Sequence, residues 1–168
     1  MNNKGNLVCL EGVPTAESNT SRVRGFKEEI SKYPEINLVA SQPSGTINSK
    51  EEGLNTMENM LQANPVIDGV FAINDELAVG VAEAIKSAGR EGIIIVGFDA
   101  NEDGLDAIRK GDIHATVAQF PSYMAYTGIK TLIDAINGVK VPEFIPAPLI
   151  VVTKVNVDTF KDEVKFGE

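Results

Sequence analysis

Short apolar runs of strand length alternate with longer stretches whose apolar residues fall three and four apart, and this beat continues along most of the chain. A parallel sheet flanked by helices needs such alternation, because each crossover helix returns the chain to the same end of the sheet. Leu7–Leu10 predicts the first strand, and Val23, Phe26, Ile30 and Tyr33 stripe a helix that Pro34 stops. Leu38–Ala40 predicts the second strand. After the polar loop 41–49, Asn48 as N-cap with Glu51 three residues on opens a helix whose buried face is Leu54, Met57 and Leu61. Val66–Ile73 predicts the third strand, and Leu77, Val81, Ala84, Ile85 and Ala88 a helix ending at Gly89. Ile93–Phe98 is apolar enough for a fourth strand buried on both faces. A short helix through Leu105 and Ile108 ends at Gly111, Ala115–Ala118 gives a fifth strand, and Ile129, Leu132, Ile133 and Ile136 mark a longer helix ending near Gly138. A proline-rich connector, 141–148, leads to the strand Leu149–Val152, and the charged tail from Asn156 is expected to fray. The predicted class is α/β: an open, mostly parallel sheet with helices on both faces, in a single domain spanning 1–168.

Fifteen basic against 24 acidic side chains give a formal charge of −9, which opposes nucleic acid and anionic lipid. No apolar run reaches the roughly 18 residues of a membrane span, so membrane insertion is not expected. Met1-Asn-Asn-Lys4 does not read as a secretion signal, and the chain as written is expected in the cytoplasm. Cys9, the one cysteine, sits in Leu7-Val-Cys-Leu10 and reads as a buried small hydrophobe. His114 is the only histidine, and the sequence carries no Walker loop, no Gly-x-Gly-x-x-Gly and no Gly-x-Ser-x-Gly elbow, so no enzyme chemistry and no cofactor is expected. Asp99, Asn101, Asp103 and Gly104 match the opening of a calcium loop, but Lys110 stands where its closing glutamate belongs, and no metal is assigned.

In open α/β sheets ligands gather beyond the carboxyl ends of the strands. Val70-Phe-Ala-Ile-Asn-Asp75 and Ile93-Ile-Ile-Val-Gly-Phe-Asp99 end there, which places Asn74, Asp75 and Asp99 on one rim. All three also suit helix capping: Asn74-Asp75 precedes one helix and Asp99 precedes the helix near 101–110. As a rim, they suit a sugar or polyol, since a carboxylate accepts from two neighbouring hydroxyls and an amide both donates and accepts. Arg22 and Arg24 lie in the first turns of a helix, whose positive end disfavours arginine, so one of them is expected to serve a partner. Asn19-Thr-Ser21 fits a glycosylation sequon too short to carry weight.

Ala40-Ser-Gln-Pro43, Gly53-Leu-Asn-Thr-Met-Glu-Asn-Met-Leu61, Val70-Phe-Ala-Ile-Asn-Asp-Glu-Leu-Ala-Val-Gly80, Val96-Gly-Phe-Asp99 and Ala115-Thr-Val-Ala-Gln119 follow one another in an order that resembles the carboxy-terminal half of ribose-type sugar-binding proteins. These are type I periplasmic binding proteins, the soluble receptors of ABC importers, and the likeness runs from Leu7 to Lys154. It implies one of two α/β lobes that close on a monosaccharide or polyol, and an ABC permease as the partner of the full-length receptor outside the cytoplasm. By position it implies ligand roles for Arg22, Asn74, Asp99 and Gln119, with Asp75 a weaker candidate because its counterpart often serves the helix cap. It further implies that 120–146 belong to an amino-terminal lobe, leaving the helix Ser122–Ile136 to be covered by that lobe or by self-association. The sequence departs from the family in the loop Ser44–Ser49, which is longer and lacks the aromatic residue that lies against the sugar ring. The effector-sensing half of LacI-like transcription regulators shares the fold but follows a helix-turn-helix, and Ala40-Ser-Gln-Pro43 with Asn74-Asp-Glu76 favours the transport receptor.

Overall fold

The computed structural model describes residues 3–161 of the 168. They form β1 (Lys4–Glu11), α1 (Glu17–Ile30), β2 (Glu35–Pro43), α2 (Lys50–Ala63), β3 (Gly69–Ala72), α3 (Asp75–Ser87), β4 (Ile94–Asp99), α4 (Glu102–Lys110), β5 (Ala115–Gln119), α5 (Pro121–Ile136) and β6 (Leu149–Thr153). The sheet runs β2-β1-β3-β4-β5-β6, with the first five strands parallel and β6 antiparallel to β5. The strand order reverses beside β1. Right-handed crossovers therefore put α1 on one face and α2, α3 and α4 on the other.

Register sets the core. Val8 pairs with Val70, Val70 with Ile95, and Gly97 with Thr116, so one face of the sheet is a continuous buried layer against Met57, Leu77, Val81 and Ile108. Within that layer α2 and α3 approach closely: a Cβ on Gly80 would fall on the carbonyl of Lys50, and one on Gly53 on the backbone of Leu77. On the other face Phe26 of α1 stacks on Phe71, with ring centroids 4.9 Å apart. Past α1 this face is thinly covered. Ile94 and Val96 are only half-buried, which corrects the expectation that the fourth strand is buried on both sides.

Three local readings change. The N-cap of α2 is Ser49, whose hydroxyl accepts from Glu52 N–H while the Glu52 carboxylate accepts from Ser49 N–H, a full capping box one residue later than Asn48 and Glu51. Asn48 instead has a φ of +57°, a left-handed conformation that asparagine tolerates. α4 is capped by Asn101, not Asp99: its Oδ1 accepts from Gly104 N–H at 2.8 Å. The chain after β6 is anchored rather than frayed as far as it is described. Val157 is buried, Asn156 Oδ1 accepts from Thr153 N–H, and Phe160 packs on Phe120. The remainder of the tail lies outside the described residues.

α5 stands apart. No residue of it is buried, and Ile129, Leu132, Ile133 and Ile136 are each more than half exposed.

Candidate functional site

Glu11, Ala72, Asp99 and Gln119 close the carboxyl ends of β1, β3, β4 and β5 along one edge of the sheet. Arg22 reaches this edge from the second turn of α1. Its Nη1 donates to the carbonyl of Ile73 at 2.6 Å and its Nη2 to Asp99 Oδ1 at 2.8 Å. Its guanidinium lies 3.9 Å from the centroid of the Phe98 ring, a cation–π contact that holds the plane in place. Gln119 Nε2 donates to the same Asp99 oxygen at 2.6 Å. Arg22, Asp99 and Gln119 thus form one hydrogen-bonded unit, with Asp99 Oδ2 receiving no hydrogen bond from any described residue. Burial raises the Asp99 carboxyl above its ordinary pKa, and Arg22 opposes that shift.

Asn74 lies next to the Ile73 carbonyl that Arg22 holds. It is the N-cap of α3, Oδ1 accepting from Leu77 N–H at 3.0 Å, and its Nδ2 donates to the carbonyl of Asn48 at 3.1 Å. A primary amide so engaged keeps one N–H and one lone pair. Asn48 Oδ1 in turn accepts from Val13 N–H, tying the β1–α1 loop to the rim.

Asp75 lies beneath the rim, with none of its surface exposed. Its Oδ1 accepts from the Thr116 hydroxyl at 2.7 Å and its Oδ2 from Asn101 N–H at 3.0 Å. Desolvation pushes its pKa up to about 6. The helix cap itself belongs to its neighbour Asn74.

Sequence reasoning did not single out Phe98 or Thr116, and it gave Asn48 only the role of a helix cap. An aromatic residue directly before a strand-end aspartate was the available signal for Phe98; Thr116 meets Asp75 only through the sheet register. Arg24 is exposed and lies 3.9 Å from Glu28, so Arg22 is the arginine that serves the rim. His114 is exposed and its Nδ1 accepts from Ile95 N–H, while Cys9 is buried and its thiol is pushed up to about 12, chiefly by desolvation. The Asn19 side chain is buried and accepts from Gly12 N–H, which leaves the sequon inaccessible in the fold. The loop 44–49 presents Ile47 to solvent, and its backbone is gathered by the Glu52 carboxylate, which accepts from Thr46, Ile47 and Ser49 N–H. A separate depression of about 300 Å³ between α3 and α4 is lined by charges that offset one another, Lys50 and Glu83 at 2.6 Å among them.

The profile of the periplasmic binding protein domain matches residues 1–140. The chain belongs to that family. The ribose import binding protein of Escherichia coli is 36% identical over 148 residues, covering 88% of this chain and 49% of the relative. The xylitol-binding protein of Mycolicibacterium smegmatis is 34% identical over 156 residues, 92% of this chain and 44% of its own. Among solved structures, a periplasmic solute-binding protein of an ABC transporter from Actinobacillus succinogenes, with bound D-allose, superposes with a TM-score of 0.85 at 31% identity, covering 94% of this chain and 56% of the other. This periplasmic binding protein domain spans about half the length of the curated relatives it matches. Among the described residues no helix is long and apolar enough to cross a membrane.

Proposed function

We propose that this domain forms one wall of a monosaccharide or polyol site in the soluble receptor of an ABC importer. The observation that carries the reading is the Arg22–Asp99–Gln119 unit at the carboxyl edge of the sheet, fixed by its own hydrogen bonds and offering a carboxylate oxygen to which no described residue donates. Asp99 accepts from ring hydroxyls through Oδ2, Arg22 and Gln119 donate to neighbouring oxygens, and Asn74 supplies its remaining N–H and lone pair. Relatives named for ribose, xylitol, allose and apiose support a small polyhydroxylated ligand. The opposite wall comes from an amino-terminal lobe, to which 120–146 belong, and the bare apolar face of α5 seats that lobe. In the chain by itself the same face seats a second copy. The assembled receptor works outside the cytoplasm and delivers its ligand to an ABC permease.

A single wall retains only part of the binding energy. Micromolar affinity corresponds to about 8 kcal/mol and millimolar to about 4 kcal/mol, so the domain alone is expected to bind sugars no tighter than millimolar. Titration of labelled domain with D-ribose, D-allose, xylitol and myo-inositol, followed by NMR, is expected to move the Asp99, Gln119 and Asn74 resonances for at least one of them. No response to any of the four at tens of millimolar would reject the reading. In a receptor reassembled with an amino-terminal half, Asp99→Ala is expected to weaken binding by about 1.5–3 kcal/mol, the range for hydrogen bonds to a charged group, as read by calorimetry.

A further inference from the structure

The peptide after Asp99 is unusual. Asp99 has φ +108° and Ala100 φ +56°, two consecutive non-glycine residues on the positive side, which L side chains adopt only when surrounding contacts impose it. Those contacts are visible one layer below. The Ala100 N–H donates to Thr116 Oγ1 at 3.2 Å, the Asn101 N–H donates to Asp75 Oδ2 at 3.0 Å, and the Thr116 hydroxyl donates to Asp75 Oδ1 at 2.7 Å. Thr116 therefore relays between carboxylate and turn, and both N–H groups following Asp99 are held by one buried pair. Space has been cleared for it: a Cβ on Gly97 would fall on Asp75 Oδ1, and one on Gly104 on Oδ2. A buried carboxylate is a costly way to cap a helix, and Asn74 already does that.

We propose that Asp75 is the positioning residue of this site: with Thr116 it fixes the turn Asp99–Asn101 and so sets where the Asp99 carboxylate stands, without itself reaching the ligand. That Asp99 holds a sugar rests on the function proposed above; the brace does not. The brace fixes Asp99 from the backbone side, whereas Arg22 and Gln119 hold its side chain. Among the described residues the charged groups acting on Asp75 are Asp99 from β4 and Glu76 from its own helix, both carboxylates; β5 and α4 present Thr116 and Gly104, and the link between β4 and α4 presents the Asn101 N–H. With no cation among them, Asp75 takes up a proton at about pH 6, and a protonated carboxyl is a poorer acceptor for the Asn101 N–H.

The test is NMR of the labelled domain from pH 8 to 5, on the wild type and on Asp75→Asn, Thr116→Val and Asp99→Asn. In the wild type the Ala100 and Asn101 amides should follow the Asp75 carboxyl carbon through one transition near pH 6. Asp75→Asn should abolish that transition and displace the Asp99 carboxyl, Arg22 Nε and Gln119 side-chain signals; Asp99→Asn should keep it, shifted to lower pH by loss of a like charge. Thr116→Val serves if Asp75→Asn does not fold, and should displace the same rim signals. Rim signals unmoved by whichever of these two variants folds, or amides that do not titrate with Asp75, would overturn the proposal whether or not any sugar binds. A D-ribose and xylitol titration of the same samples separates the two readings: displaced rim signals with a wild type silent to sugar uphold the brace and reject the sugar site. If the wild type responds, Asp75→Asn is expected to lower affinity about tenfold or more; an unchanged affinity would overturn the positioning role.

Discussion

Asp75 and Asp99 have the same side chain and opposite environments, and the difference lies in which neighbours each meets. Asp99 ends a strand beside a guanidinium and an amide; Asp75 starts a helix and points into the sheet. The raised pKa of Asp75 has a definite sign for stability. A carboxyl near 6 in the fold and about 3.9 in the unfolded chain keeps a proton that unfolding releases, so its contribution is full below about pH 4 and is lost as the pH rises through 6. Between pH 7 and pH 5 the domain should therefore gain on the order of 1 kcal/mol from this group. Urea melts of the wild type and Asp75→Asn over that interval read the difference, which should be smaller in the variant by about that amount, the raised Asp99 carboxyl still contributing in the same direction. The clearance around the same carboxylate gives a second expectation: Gly97→Ala should destabilise by about 1–3 kcal/mol through overpacking, whereas Gly25→Ala, on an exposed turn of α1 with open space at its Cβ, should stabilise by about 0.5–1 kcal/mol. Thermal unfolding of the two variants ranks them. None of this residue detail was legible in Asn74-Asp75, because adjacent residues at a helix start have equal claims to the cap until register decides.

The elements were more legible, since their periods are written in apolar spacing alone. All five helices and six strands stand where the alternation puts them, and Gly89 and Gly111, with φ of +63° and +86°, end α3 and α4 as their positions suggest. Boundaries were less so. β2 runs from Glu35 to Pro43 rather than over three residues, because pairing with β1 recruits polar positions that carry no hydrophobic signal, and its register slips by one residue between Leu7 and Val8. The α2 cap slid from Asn48 to Ser49 for a related reason: Asn48 is taken up by Val13 and by the left-handed turn. Ser49→Ala should cost about 1 kcal/mol, the usual loss for an N-cap. Glu52→Ala should cost more than Ser49→Ala, because the same carboxylate also gathers the loop from Thr46 to Ser49. Those backbone N–H bonds hold the Glu52 pKa below its ordinary value, so its support is present at neutral pH and fades as the pH falls through the folded pKa. Paired chemical denaturation of the two variants tests the order.

At the scale of the whole molecule, α5 is the feature that fits least well in one chain. Its four exposed aliphatic side chains amount to a few hundred Å², the size of patch that marks an interaction surface. In the chain by itself we expect association through this face, with Leu132→Asp together with Ile133→Asp giving a monomer. Sedimentation velocity on both proteins checks it, and a monomeric wild type would remove the face from consideration. The spacing of Ile129 to Ile136 shows an amphipathic helix; which sheet it faces is not written there, since an apolar stripe specifies a need for a partner and not the partner. The placement of β6 has a different consequence. Its hydrogen bonds to β5 are made by a strand that follows it by some thirty residues, after a helix and a proline-rich connector. During synthesis β1 to β5 can therefore assemble while β5 is still an open sheet margin carrying Val117, and until Leu149–Thr153 emerges any extended segment from a neighbouring nascent chain competes for that margin. Between the synthesis of Gln119 and that of Thr153 the β5 margin is therefore without its partner strand.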